Sequence, residues 1–286
     1  MQDHLIRATV PGVRGFAAIT TNLVEEGRQR HNCYPVATAA LGRTMTAALL
    51  LAADFKTDES LTIRIAGNGP LNEIIADAHA SGTVRGYIKN PHVDLPLRGN
   101  KLDVGTAVGE GQLYVTRFTG LKQPFTSNTP LTSGEIAEDI TSYLLLSEQI
   151  PSSVALGVLV QPDLTVGAAG GFMIQALPDA ADDILAKIEQ NIAGLPPVSQ
   201  LIDEGCSAEG ILAVVFAGLP LTVYNQIPIR FHCACTRERV EKVLISLGKQ
   251  ELMAMLAEGQ AEVCCHFCAE KYQFNRQELE QLLAAL

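Results

Sequence analysis

The chain has 286 residues, 47% of them hydrophobic and 18% charged, which is the composition of an ordinary globular protein. Its formal net charge of −10 argues against nucleic-acid binding, because nucleic-acid readers normally carry a basic patch. The sequence shows neither a basic segment followed by an apolar core at its start nor an uncharged apolar run of about 18 residues. We therefore expect no secretory signal, no membrane span and a cytoplasmic location, where thiols stay reduced.

Residues 1–178 mix strand-like and helical stretches without a regular alternation. Two strands are expected around the turn at Pro11-Gly12, and a long helix of small apolar residues is expected to begin near Pro35. A hairpin with its turn at 161–163 is expected near the end of this part. The pattern predicts an α+β fold with a large N-terminal domain of mixed helices and sheet over residues 1–178.

The pattern changes at residues 179–230, which predict three short helices. In the first, apolar residues at helical spacing share one face: Ile184, Leu185, Ile188 and Ile192. Gly194 is expected to end this helix, Pro196-Pro197 to begin the second, and Ser207 to cap the third. Helices this short are unstable alone, so we expect a helical linker packed on the N-terminal domain.

Residues 231–286 predict a small C-terminal domain. Its expected helix caps and ends are Thr236, Gly248, Gly259 and Asn275, the last completing a capping box with Glu278. About 56 residues with few aromatic side chains make only a marginal hydrophobic core. Such a domain usually needs a covalent or metal crosslink, and its cysteines are the candidates.

Five of the seven cysteines lie in two short runs of this last part, "FHCACTRERV" and "EVCCHFCAEKY". Cys233-x-Cys235 and Cys265-x-x-Cys268 form two close pairs, the spacing that builds a tetrahedral four-sulfur site. Thiolate is a soft ligand that suits zinc, so we expect these four cysteines to hold one Zn²⁺ ion. Cys264 falls outside the two-residue gap of the second pair and is not assigned as a ligand.

The histidines next to these pairs, His232 and His266, are candidate substitutes for one ligand. Four sulfurs already complete the coordination sphere, so tuning or shielding of the thiolates is the expected role of both rings. The remaining interpretations of the cysteines are a catalytic dithiol and a set of unconnected buried thiols.

The one-residue gap in the first pair suggests redox chemistry. A disulfide between Cys233 and Cys235 would close a small, strained ring, which is easily reduced, whereas Cys265 and Cys268 can close more comfortably. We therefore hypothesise two states, one reduced, metal-bound and folded, the other oxidised, metal-free and unfolded.

Two cysteines lie outside these runs. Cys33 follows His31 closely, but no Asn or Asp partner for a Cys–His nucleophile is evident. Cys206 precedes the expected cap at Ser207, where a helix N-terminus would lower its thiol pKa. Both are expected to be mainly structural.

These cysteine motifs resemble those of the redox-regulated bacterial heat-shock chaperones, the heat-shock protein thirty-three family. Further blocks spread over the chain share the resemblance: "EGRQRHNCYPVATAALGRTMTAALLL", "GNGPL", "KLDVGTAVG", "SGEIAEDITSYLLLSEQIPSSVALGVLV" and "AAGGFMIQALP". The sequence departs from the family's usual pattern at Cys264, where an apolar residue is more common.

The resemblance implies an ATP-independent holdase, which is a chaperone and not an enzyme. It implies a reduced, inactive form with zinc on the four cysteines, and oxidation to two disulfides, Cys233–Cys235 and Cys265–Cys268. Zinc then leaves, the C-terminal domain unfolds, the linker loosens, and the exposed apolar surface binds unfolding client proteins. It also implies a monomer when reduced and a homodimer when active.

Two other functions remain to be weighed against a chaperone. A thiol-disulfide oxidoreductase would use Cys265 and Cys268, but that motif normally opens a helix, and here the strand-like "EKYQF" follows it. A zinc module that binds nucleic acid is disfavoured because residues 231–286 are net acidic.

Overall fold

The structure is a computed structural model that describes residues 2–56, 58–121 and 123–286. Contacts divide the chain into two compact units, the first ending at His232 and the second comprising Cys233–Leu286. Both units combine helices with antiparallel strands, which confirms the predicted α+β class. The predicted boundaries at residues 178 and 230 stay predictions, since this division separates only the second unit.

Fourteen strands are formed by the described residues. In chain order they are β1 (His4–Val10), β2 (Val13–Ile19), β3 (Ser60–Gly67), β4 (Glu73–His79), β5 (Thr83–Ile88), β6 (Gly111–Phe118), β7 (Phe125–Pro130), β8 (Ser152–Val160), β9 (Val166–Ala176), β10 (Thr222–Val223), β11 (Ile227–Pro228), β12 (Arg230–Phe231), β13 (Gln260–Cys264) and β14 (Lys271–Asn275).

Ten helices complete the described part of the chain. They are α1 (Thr21–His31), α2 (Pro35–Ala52), α3 (Val104–Val108), α4 (Ala137–Leu146), α5 (Asp182–Ala193), α6 (Val198–Asp203), α7 (Ala208–Val215), α8 (Arg237–Ser246), α9 (Lys249–Glu258) and α10 (Arg276–Ala284).

The first unit contains two sheets, each with six strands among the described residues. One has the order β10-β1-β2-β9-β8, with β11 also pairing with β1, and the other has the order β12-β5-β4-β3-β6-β7. The hairpin predicted at 161–163 joins β8 to β9, and the strands predicted around Pro11-Gly12 are β1 and β2. Apart from the short parallel pair β12–β5, all these pairings are antiparallel.

Helix α2 lies between the two sheets, because it packs against β3, β4 and β5 of one and against β2, β8 and β9 of the other. Its small apolar residues are therefore buried on nearly every side. Length and composition alone would let Pro35–Ala52 cross a bilayer, but 89% of that window is buried inside the protein, as expected for a core helix. This is weak grounds for a membrane span.

The three helices predicted for residues 179–230 form and pack on the first sheet. Helices α6 and α7 contact strands β8, β9, β1 and β2, and their apolar residues join the same buried cluster as those strands. The Ser207 hydroxyl accepts a hydrogen bond from the Gly210 N–H at 3.1 Å, which confirms the predicted cap. Helix α5 is held less firmly, since Ile188 is its one fully buried residue.

The second unit consists of α8, α9, α10 and the β13–β14 hairpin. The predicted caps are confirmed, because Thr236 accepts from the Arg239 N–H and Asn275 forms a full capping box with Glu278. Its core is small and contains six fully buried apolar side chains, Val240, Leu244, Leu252, Phe274, Leu279 and Leu282.

Candidate metal centre

The four cysteines predicted as metal ligands meet at one place in the second unit. The sulfur atoms of Cys233, Cys235, Cys265 and Cys268 all lie within 4.8 Å of one another. A single metal ion placed among them could contact all four. Cys268 is buried at 4% exposure, and the other three are half-buried.

The first pair is held by the start of helix α8. Cys233 and Cys235 lie in the extended segment just before the Thr236 cap. Within that segment, the Ala234 carbonyl accepts a hydrogen bond from the Arg239 guanidinium at 2.7 Å. The helix N-terminus therefore fixes the path of the backbone between the two cysteines.

The second pair lies in the tight turn that joins β13 to β14. The Cys265 N–H donates to the Glu270 carbonyl at 2.9 Å, and the Ala269 N–H donates to the Cys265 carbonyl at 2.8 Å. Ala269 has a φ of +55°, a left-handed conformation that lets the chain reverse there. Both sulfurs of the pair are thus presented on a short, hydrogen-bonded loop.

Two sulfur–sulfur contacts cross between the pairs. The Sγ atoms of Cys233 and Cys265 are 3.8 Å apart, and those of Cys235 and Cys268 are 3.2 Å apart. The Tyr272 hydroxyl donates a hydrogen bond to the Cys235 sulfur at 3.2 Å. Sequence reasoning missed Tyr272, whose only signal is an aromatic hydroxyl four residues after the last cysteine of the motif.

Burial raises the pKa values of two of these thiols. It is the main cause that raises the pKa values of Cys235 and Cys268 above that of a free thiol, while the hydrogen bond from Tyr272 acts in the opposite direction on Cys235. In the absence of a cation the cluster therefore favours protonated thiols. A divalent cation would supply the positive charge that four closely spaced thiolates require.

The flanking histidines are not members of this group. Among the described residues, the mutually close ligand atoms around these cysteines are the four sulfurs alone. His232 pairs through its backbone N–H with the Val84 carbonyl at the edge of a sheet in the first unit. The expectation that four sulfurs form the ligand set is consistent with this geometry.

The other three cysteines lie in different surroundings. Cys264 is exposed on β13, with its sulfur 4.0 Å from the Cys265 carbonyl oxygen. Cys33 is buried, which raises the pKa of its thiol to about 12 and keeps it protonated at neutral pH. The Cys33–His31 nucleophile is therefore unsupported, and the His31 ring lies 3.0 Å from the Gly86 carbonyl oxygen.

The expectation of a lowered pKa at Cys206 is wrong. Burial raises the pKa of this thiol instead. The Gly210 N–H at the start of α7 is taken by the Ser207 hydroxyl, and the Cys206 sulfur lies 3.7 Å from the Ser207 carbonyl oxygen. A structural role for Cys206 agrees with this setting.

Comparison with known proteins places the chain in a family. The model of the Hsp33 protein family matches residues 3–275. A 33 kDa chaperonin of Desulforamulus reducens is 50% identical over 99% of this chain and 98% of its own length, and that of Bacillus subtilis is 49% identical over 98% of both. The crystal structure of the 33 kDa chaperonin, a heat shock protein 33 homolog, from Thermotoga maritima superposes with a TM-score of 0.93 at 39% identity, covering 99% of this chain and 98% of that one. The chain therefore belongs to the Hsp33 protein family.

Proposed function

We propose that this protein is a redox-regulated, ATP-independent holdase that keeps unfolding or oxidatively damaged proteins from aggregating. The observation that carries the proposal is the meeting of four cysteine sulfurs in a small unit with a limited core of its own. Membership of a family whose relatives are named chaperonins supports the chaperone part of the proposal. The reduced, metal-bound form is inactive and the oxidised form is active.

Zinc is the metal proposed for the four-cysteine cluster. Four thiolates are the ligand set of structural zinc sites, in which zinc lies about 2.3 Å from each sulfur. Sulfurs at the corners of such a tetrahedron are about 3.8 Å apart. The 3.8 Å between Cys233 and Cys265 equals this distance, and the 3.2 Å between Cys235 and Cys268 is shorter. When bound, zinc would supply positive charge and a crosslink between the two ends of the second unit. Cys233, Cys235, Cys265 and Cys268 would hold it.

Oxidation removes the ligands. Each disulfide forms one S–S bond from two thiolates and gives up two electrons, so two disulfides deliver four electrons. Two molecules of hydrogen peroxide can accept them, each taking two protons from the solvent, breaking its O–O bond and becoming two molecules of water. We propose the pairs Cys233–Cys235 and Cys265–Cys268, which rest on the family resemblance. The two sulfur contacts described above run between these pairs, so peptide mapping of the oxidised protein is a sharp test of the pairing.

Loss of the metal is proposed to unfold the second unit and then to loosen the linker. The chain enters the first pair directly after β12, whose residues pair with β5. Upstream, α5 lies over an apolar cavity of about 350 Å³ against the first sheet, lined among others by Val13, Ile174 and Leu185. Because α5 is only weakly packed, we expect it to separate from the first sheet at low energetic cost. Its release would expose apolar surface to client proteins.

The active protein is proposed to be a cytoplasmic homodimer and the reduced protein a monomer. We propose no catalytic residue. The oxidoreductase alternative is disfavoured because Cys265 and Cys268 lie in a hairpin turn, and the burial that raises the pKa of Cys268 works against a reactive thiolate.

The holdase proposal predicts a state-dependent effect on an aggregating client. Light scattering of chemically denatured citrate synthase diluted into buffer is expected to rise normally with the reduced protein and to be suppressed by the protein oxidised with peroxide under mildly unfolding conditions. Zinc release and the loss of four thiols should accompany the change. Equal suppression by both forms, or by neither, contradicts the proposal.

The Tyr272 hydroxyl is predicted to strengthen metal binding through its hydrogen bond to Cys235. Replacing Tyr272 by phenylalanine keeps the ring and removes the donor, and partners of this kind change metal affinity by about 10-fold or more. Competition with a chromogenic chelator is expected to show zinc held about tenfold more weakly. Tyr224→Phe, which removes an exposed hydroxyl in the first unit, is the matched control and should leave zinc affinity unchanged. Equal affinities in the two variants would contradict the assignment.

A further inference from the structure

The outer edge of strand β7 carries backbone groups with no hydrogen-bond partner among the described residues. β7 is the last strand of the second sheet, bound on one side to β6, and no other described strand pairs with it. Such an edge presents N–H and C=O groups that can form hydrogen bonds with another extended chain. The edges of natural sheets are usually protected against this.

The register identifies which groups point outward. The Leu131 N–H donates to the Gly111 carbonyl at 2.9 Å, so this pair is hydrogen-bonded. Hydrogen-bonded and non-hydrogen-bonded pairs alternate in an antiparallel ladder, so Thr129 and Ser127 also face β6. The backbone groups of Thr126 and Asn128 therefore face away from the sheet.

Side-chain contacts agree with this alternation. The hydroxyl oxygens of Thr116 and Thr126 are 2.9 Å apart, as expected of a closely spaced, non-hydrogen-bonded pair. On one face, the Ser127 hydroxyl lies 2.9 Å from the Tyr143 hydroxyl of α4, so this helix supports the strand from behind. The outward edge is thus held by a fixed scaffold.

The edge lacks charge. The chain carries a net charge of −10, yet no ionisable residue occurs over residues 123–134. Pro124 and Pro130 bound the strand and leave two outward-facing residues between them. Strand β8 at the end of the first sheet is contacted by three helices, α2, α4 and α6, and β7 is contacted by α4.

Apolar side chains are exposed along the hairpin that joins β6 to β7. Phe125 is 64% exposed and Leu121 is 77% exposed, and Phe118 at the end of β6 is also exposed. Exposed aromatic residues next to free backbone groups suit a partner that offers both an extended backbone and apolar side chains. An uncharged partner matches an uncharged edge, since a charged side chain would lose solvation without gaining an opposite charge.

We propose that the outer edge of β7 is a docking site for an extended, uncharged segment of an unfolded polypeptide, which adds to the second sheet as a further strand. The proposal rests on the holdase function and deepens it by naming where a client is held. Backbone pairing at Thr126 and Asn128 would be independent of client sequence, and the apolar residues nearby would favour apolar segments.

The short edge also accounts for the need for activation. Two outward residues offer about four backbone hydrogen bonds, too few for a stable complex alone. The apolar faces of α5, α6 and α7, released from the first sheet after oxidation, would supply the remaining contact area. Client binding would then require both surfaces.

Residue-resolved amide exchange on the full-length oxidised protein tests the site. The probe is reduced, carboxamidomethylated α-lactalbumin, an unfolded polypeptide whose blocked cysteines carry no added charge. The Thr126 and Asn128 amides are expected to exchange fast in the free protein and at least about fivefold more slowly with the probe bound. The Ser127 and Thr129 amides, already bonded to β6, should be slow in both samples.

A pair of variants at one position isolates the backbone donor. Asn128→Pro removes an outward N–H without touching the ladder to β6, and is expected to weaken binding of the probe at least about threefold. Asn128→Ala keeps that N–H, removes only the side chain that bonds Gln112, and should bind the probe like the original protein. Slow exchange of the Ser127 amide in both variants verifies that the sheet is intact.

Three results would overturn the site. Fast exchange at Thr126 and Asn128 while the probe is bound and aggregation is suppressed rejects the edge but leaves the holdase function standing. Protection of the same amides on concentrating the oxidised protein alone assigns the edge to a second copy of the chain. Failure of the oxidised protein to bind any unfolded probe rejects the holdase function and the site together.

Discussion

Replacing Cys268 by serine is expected to remove the metal ion and to unfold the second unit, residues 233–286, while the first unit stays folded. Cys268 is the buried member of the four-sulfur cluster, so a serine hydroxyl there would leave a poor, neutral ligand in its place. Structural zinc contributes about 10–16 kcal/mol of apparent binding free energy, which is as large as the whole stability of a typical domain, about 5–15 kcal/mol. Losing most of it should leave the unit without a stable fold.

The size of the second unit explains why this loss is decisive. Without a metal, the unit is stabilised by a small core of six buried apolar side chains. A cation–π contact, Arg237 over Phe274 at 4.4 Å, adds to this core. Domains of this length commonly depend on a crosslink because they bury too little apolar surface. A metal ion bound by the four sulfurs would therefore act as a ligand of the folded state, and its removal would shift the population toward the unfolded state.

The measurement is metal content per chain together with limited proteolysis. Cys268→Ser is expected to contain less than about one tenth of the metal of the original protein. Proteases are expected to cleave it rapidly within residues 233–286 and to leave the first unit intact. Cys264→Ser is the matched control, because this exposed neighbour of Cys265 lies outside the cluster. A Cys268→Ser protein that keeps its metal and resists proteolysis like the control would refute the assigned ligand set.

The meeting of the four cysteines was predictable from the sequence because it depends on local spacing. Two pairs of cysteines at fixed spacing can meet at one point only if the chain between them folds back, and the helix signals between Thr236 and Gly259 provided for that. The caps at Thr236 and Asn275 were predictable for the same reason, since each depends on residues three positions apart. Local rules of this kind need no knowledge of the tertiary structure.

Other features depended on partners distant in sequence and were missed or wrong. The proximity of Tyr272 to Cys235 depends on how the segment before α8 meets strand β14, and the pairing of β14 with β13 was not predicted. The pKa of Cys206 was predicted in the wrong direction, because a helix N-terminus is visible in a sequence and burial is not. The free edge of β7 likewise emerges only from the order of the strands.

The first unit also depends on a carboxylate that the sequence does not single out. Asp139 in the first turn of α4 is 1% exposed. Its two oxygens accept four backbone hydrogen bonds, from the N–H groups of Thr132, Ser133, Gly134 and Ile136, at distances of 2.7–3.3 Å. These hydrogen bonds fix the backbone conformation of the loop that connects β7 to α4.

Asp139 also stabilises a strained backbone conformation at Ile136. Ile136 is buried with a φ of +69°, a conformation that a β-branched residue adopts only when its surroundings impose it. The Asp139 carboxylate binds the N–H of this residue at 2.9 Å. Without that bond, the strain at Ile136 would favour a different path for the loop.

Asp139→Ala is therefore expected to destabilise the first unit by about 3–5 kcal/mol, since several N–H groups in and beside a buried turn lose their acceptor. The buried thiol of Cys33 reports on unfolding of this unit, because a thiol-specific reagent reaches it only after the unit opens. Labelling of Cys33 across a urea series should show a midpoint lower by about 1–2 M in the variant. Asp163→Ala, which removes an exposed carboxylate bonded to Thr165 in the turn between β8 and β9, should leave the midpoint near that of the original protein. If both variants unfolded at the same urea concentration, the loop after β7 would be held by its apolar packing alone, and Asp139 would be an ordinary first-turn acid of α4.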